Sequence, residues 1–172
     1  MIFGMTALTF VHTVISLIGI FSGLFLVYGF IAGKGLRHIA ALFLATTTAT
    51  SISGYFFPFH GVTPGIVLGA ISLVVLAIAT YARYGRHLEG GWKRTYVISS
   101  VFALYLNCFV LVVQLFEKVP SLRALAPTQS EGPFKIAQGL LLVLFIAMGI
   151  FSVKGFNEHP LRAANQALPR AA

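Results

Sequence analysis

Four stretches of this chain contain no Asp, Glu, Lys or Arg: Met1 to Gly33, His38 to Ala82, Thr95 to Phe116, and Ile136 to Val153. The sixteen charged residues all fall between or beyond them. A bilayer's hydrocarbon core is about 30 Å thick, and about 20 apolar helical residues cross it. Inside that layer the backbone must satisfy its own hydrogen bonds, so a chain of this pattern crosses as helices. Composition agrees: 58% of residues are hydrophobic and 9% charged, against about a quarter charged in a soluble domain.

The second charge-free stretch is too long for one crossing. Pro58 and Pro64, with Gly61 and Gly65, break it near its middle, because proline lacks a donor and glycine relaxes the backbone. The sequence therefore predicts an all-α integral membrane protein, a single membrane domain built as a bundle of five transmembrane helices. They cover about 6–31, 39–57, 65–84, 96–116 and 134–153, with a short tail over 155–172. No basic residue precedes the first apolar run, and that run exceeds the roughly 7–15 residues of a signal-peptide core, so it is expected to stay as a helix.

Orientation follows from the basic residues. Nine lie on one side: Lys34, Arg37, Arg83, Arg86, Lys93, Arg94, Lys154, Arg162 and Arg170. Lys118, Arg123 and Lys135 lie on the other. The positive-inside rule puts the N-terminus outside and the C-terminus in the cytoplasm. The net charge of +8 sits beside apolar spans, so it points to the lipid bilayer's anionic headgroups and not to nucleic acid. The single cysteine, Cys108, excludes an intrachain disulfide and a paired-cysteine metal site.

Several motifs have a packing reading and a functional one. Gly19 and Gly23, and Gly65 and Gly69, form G-x-x-x-G pairs that let helices approach closely. The second span carries Thr46, Thr47, Thr48, Thr50, Ser51 and Ser53, which serve either polar packing or a cavity wall. Ser100, Ala103, Asn107 and Gln114 share one face of the fourth, and amides facing lipid are costly, so this face is expected inside the bundle. The connection from Glu117 to Pro133 is expected to fold back through Leu122, Leu125 and Ala126. Its Thr128 and Glu131 match a helix capping box.

Histidine gives the sharpest functional lead. His38, His87 and His159 accompany basic segments, whereas His12 lies inside the first span, where an ionisable residue is a functional hypothesis by default. His60, in the turn Phe57-Pro58-Phe59-His60-Gly61, falls on the same side as His12. Two imidazoles there could ligate a haem iron as metal ligands, or grip a quinone; His12 could equally just hydrogen-bond a neighbour. The absence of C-x-x-C-H excludes covalent haem. Asn107, Gln114 and Glu131 complete the candidate cofactor-binding set on that side. No nucleophile elbow, Walker loop or H-E-x-x-H occurs, and no span holds an acid of the kind a cation-coupled transporter uses.

Phe10-Val11-His12, Gly33-Lys34-Gly35-Leu36-Arg37-His38 and Thr50-Ser51-Ile52-Ser53-Gly54 together resemble small uncharacterised multi-pass bacterial inner-membrane proteins. The resemblance covers the first two helices and is loosely cytochrome b-like. It implies a bacterial inner membrane and cytochrome-like helix pairs, and assigns no activity. Two functions remain open: a redox protein binding haem b or quinone, and a non-catalytic accessory or assembly subunit of a larger membrane complex with other membrane subunits as partners.

Overall fold

The computed structural model describes residues 6–57 and 64–156. Pro58, His60, Gly61 and residues 157–172, which include His159, lie outside the described residues. Within them the chain is helical, without strands. The helices are α1 (Ala7–Ile31), α2 (Arg37–Ser53), α3 (Pro64–Thr80), α4 (Trp92–Lys118), α5 (Pro120–Leu125) and α6 (Gly132–Gly155). A 3₁₀ turn, Gly54–Phe56, follows α2, and a π turn, Tyr81–Gly85, follows α3. With those turns included, five helices among the described residues are long and apolar enough to cross a membrane. The protein is an integral membrane protein.

The helices run alternately up and down. One end of the bundle carries Thr6, Phe57, Pro64 and the 118–131 connection. The other carries Lys34, the 86–91 turn and Gly155. These are called here the Thr6 end and the Lys34 end. Packing follows chain order around a ring, α1 on α2, α2 on α3, α3 on α4 and α4 on α6, and α6 closes it against α1. α4 also contacts α1 across the ring and has the largest buried set, including Tyr96, Val97, Ala103, Leu104 and Leu106.

Small residues set the spacing. A Cβ added to Gly23 would lie 2.6 Å from Leu104 Cδ1 and 2.8 Å from Phe43 Cε2. One added to Gly19 would lie 3.1 Å from Thr47 Oγ1. Glycine thus brings α1 against α2 and α4, as expected where dispersion rather than water exclusion drives helix association. Of the second pair, Gly69 packs on the Tyr55 ring and Gly65 is exposed. At the ring's closure, a Cβ on Gly155 would stand 2.7 Å from the Phe30 carbonyl oxygen, so the last helix rests directly on the backbone of the first.

The ends differ from the sequence reading where local geometry intervenes. α4 runs past both charged borders, because Lys93, Arg94, Glu117 and Lys118 extend the helix into the headgroup layer without leaving it. Pro120 at the first turn starts the short α5, an unforeseen helix, as its missing N–H costs nothing there. The capping box does not open a helix at Thr128. Gln129 takes φ 58°, and α6 begins at Gly132 with Glu131 as its N-cap.

Arg83 keeps its place at the Lys34 end but is buried there. The π turn carries it inward, and it is 7% exposed. Its guanidinium carbon lies 5.1 Å from the Tyr96 ring centroid and 5.9 Å from that of Tyr84. Tyr96 meets Phe30 at 5.5 Å, and Phe30 meets Phe156 at 4.8 Å. This cationic and aromatic cluster joins α1, α3, α4 and the end of α6.

Candidate functional site

His12 is half-buried in the second turn of α1 and faces α2. Its Nδ1 lies 2.8 Å from Ser53 Oγ, the last residue of α2. The antiparallel pairing of α1 and α2 produces this contact between residues 41 positions apart. Phe57 packs edge-on to the imidazole at 5.2 Å, and Gly54 leaves space beside Cε1. The Ser53 hydroxyl also lies 3.1 Å from the Thr50 carbonyl, within reach of a local bond common for serine in helices. The hydroxyl has one hydrogen to give, to the Thr50 carbonyl or to His12 Nδ1; where it goes to Thr50, the oxygen accepts from His12 Nδ1–H. In that tautomer the lone pair lies on Nε2, to which no described residue hydrogen-bonds.

A polar column continues from this corner into the bundle. Ser51 donates to the Thr47 carbonyl at 3.0 Å, and Asn107 Nδ2 donates to Thr47 Oγ1 at 3.4 Å. Gly19, about two turns below His12, gives Thr47 and Asn107 room to meet. Thr50 Oγ1 and Ser100 Oγ are buried with no hydrogen-bond partner among the described residues.

The other sequence candidates fall elsewhere. Ser100 and Ala103 are buried and Asn107 half-buried, but Gln114, beyond them on the same face, is exposed. Glu131 serves its own turn: its carboxylate accepts from the Thr128 hydroxyl at 2.8 Å and from the Thr128 and Ser130 N–H groups at 3.2 and 3.0 Å. Desolvation pushes its carboxyl upward. The Thr128 hydroxyl and the backbone N–H groups of Glu131, Thr128 and Ser130 outweigh that and hold it below the usual glutamate value. His60 lies outside the described residues. Among those residues no group of three His, Cys, Asp or Glu side chains could hold a metal ion.

The connection does fold back, through one residue more than the others. Ala126 is 1% exposed, Leu122 half-buried and Leu125 exposed. Gln129 Nε2 reaches the Val113 carbonyl at 3.2 Å and ties the turn to α4. Beside it, Phe116, Glu117, Lys118, Arg123 and Thr128 surround a polar hollow of about 410 Å³ at the Thr6 end.

Sequence reading passed over Gln138. It is buried on α6, donates Nε2 to the Phe109 carbonyl at 3.2 Å, and leaves Oε1 buried without a partner among the described residues. The available signal was an amide inside the charge-free stretch Ile136 to Val153.

No protein-family model, curated protein or solved structure matches this chain. The geometry therefore carries the functional argument by itself.

Proposed function

We propose that this protein holds a redox cofactor at the Thr6 end of the bundle, anchored by His12, and that haem b is the group whose chemistry suits that side chain. The observation that carries the proposal is the His12–Ser53–Thr50 hydrogen-bond chain. It holds the ring, and in the Nδ1–H tautomer the free lone pair is on Nε2. An iron ligand needs that lone pair, and a fixed partner on the other nitrogen is the usual support for a ligating histidine. A quinone carbonyl needs an N–H donor instead, which the other tautomer, with Ser53 donating to Nδ1, would offer. His60, three residues beyond Phe57 in the chain, would be the second candidate iron ligand. The haem would be held without covalent attachment.

In this reading the protein sits in a bacterial inner membrane, N-terminus outside, because nine of twelve basic residues share the Lys34 side of the chain. Asn107 packs the helices, and Glu131 holds the α6 turn.

The test is an absorption spectrum of protein purified with haem supplied during expression. A Soret band with α and β bands on reduction is expected, lost in His12→Ala and weakened in Ser53→Ala. Losing a partner of a ligating residue typically costs about 10–100-fold in affinity. A colourless protein that also fails to take up added haemin would overturn the proposal. Recovery of quinone by lipid extraction, with no Soret band, would transfer the site to that ligand.

A second reading is supported by α6. It buries three residues, Gln138, Phe145 and Ser152, and exposes Leu140 and Val143 to 67% and 65%. A face so bare suits an accessory or assembly subunit packed against other membrane subunits. Purification in a mild detergent as part of a larger complex would support it. A lone monomer in native membranes would count against it.

A further inference from the structure

α4 and α6 touch along their lengths but leave a trench between them toward the Lys34 end. Its volume is about 460 Å³, and its lining includes Phe102, Tyr105, Phe145, Ile146 and Gly149, with Lys154 at one end. On α6 it covers residues 142–154, a rise of about 18 Å at 1.5 Å per residue. Half of a hydrocarbon core is about 15 Å. The trench thus extends from mid-membrane to one headgroup layer, the depth of a single leaflet.

The two ends of the trench differ in chemistry. The inner end is lined by Leu142, Phe145 and the rings of Phe102 and Tyr105 and is mostly apolar. The outer end carries the exposed Lys154 ammonium. Lys93 stands nearby, its Nζ 5.4 Å from the Phe156 ring centroid. Gly33 approaches Gly155 closely, which brings the Lys34 turn to the same rim. Basic side chains over an apolar slot one leaflet deep match a molecule with an anionic head and a hydrocarbon tail.

We propose that the trench between α4 and α6 binds an acyl chain of an anionic glycerophospholipid, with the headgroup phosphate at Lys154. This site is independent of the His12 corner. A Cβ on Gly149 would meet only Val101 within 4 Å, at 3.8 Å. A larger side chain there fills the slot without parting the helices.

The test uses delipidated full-length protein in a neutral detergent. Dioleoylphosphatidylglycerol, dioleoylphosphatidylcholine and inorganic phosphate are added separately. Bound lipid is read by native mass spectrometry, with thermal melting alongside. Phosphatidylglycerol should bind more tightly than phosphatidylcholine and raise the melting temperature, whereas inorganic phosphate should do neither. Lys154→Gln should weaken phosphatidylglycerol binding roughly fivefold, the effect of one basic contact at a membrane surface, and leave phosphatidylcholine unchanged. Gly149→Leu should weaken both lipids; Ile146→Trp serves the same purpose if that variant does not fold. Undiminished headgroup preference in Lys154→Gln would overturn the proposal, as would equal stabilisation by phosphate alone. So would disulfide dimers of Leu142→Cys, which would put a second copy in the trench.

Discussion

Replacing Gly23 by alanine adds one methyl group where α1, α2 and α4 meet. That methyl would lie 2.6 Å from Leu104 Cδ1 and 2.8 and 2.9 Å from two atoms of the Phe43 ring. Both neighbours are 0% exposed, so neither has room to retreat. A leucine tip could rotate, but a buried ring held on both sides moves only with its helix. Overpacking of this kind costs about 1–3 kcal/mol. Alanine returns up to about 1 kcal/mol through its better helix propensity. Because the Phe43 ring cannot give way, the upper part of the range applies, which leaves a net loss of about 1–2 kcal/mol. At about 2–4 °C per kcal/mol for a chain of this size, melting in detergent should fall by about 2–8 °C. Gly139→Ala is the control, since nothing lies within 4 Å of a Cβ there; it should melt like the wild type or slightly higher. If Gly23→Ala melts no lower than Gly139→Ala, the close approach of α1 to Phe43 is not what holds these helices together.

Three further outcomes follow from other contacts. Gln138→Met should leave melting unchanged or raise it, because the amide makes one 3.2 Å bond and leaves Oε1 unpartnered among the described residues; a fall of several degrees would show that the amide does more than fill space. Glu131 has a carboxyl pKa below its ordinary value of 4.5, so its hold on the Thr128–Ser130 turn is present above that value and lost as pH falls through the lowered one. Hydrogen exchange at the Thr128 and Ser130 amides should therefore speed up on acidification, and Glu131→Gln should remove that pH dependence. Reporter fusions after Gly155 should read as cytoplasmic and fusions within 124–130 as external; the opposite pattern would reverse the assigned orientation.

The membrane helices were legible because charge is excluded from hydrocarbon more strictly than any side chain is excluded from a soluble core. Their ends were less so. Lys93 and Lys118 look like borders, yet a helix continues beyond the apolar layer at no cost. Thr128 and Glu131 have capping-box spacing, but Gly132-Pro133 and the positive φ of Gln129 shift the helix start to Gly132. At the candidate site, His12 was visible as a polar residue in an apolar run. Its partner Ser53 was one of six hydroxyls on α2 with no local mark to single it out. Arg83 stands at the end where its charge suggested, but its burial was not legible, because it involves a π turn and Tyr96, thirteen residues away. Gln114 shares a helical face with Asn107, but the face emerges from the bundle before reaching it.

Closure of the ring by α6 bears on how the protein is made. Helices enter the membrane in order of synthesis, and α6 follows the other described helices. Until Gly155 and Phe156 are in place, the Phe30 backbone and the Phe30–Tyr96 ring pair lack the wall that α6 supplies. Arg83 lies against the Tyr96 ring of that same cluster. An unfinished chain therefore carries a cation beside an open aromatic seam within the bilayer edge.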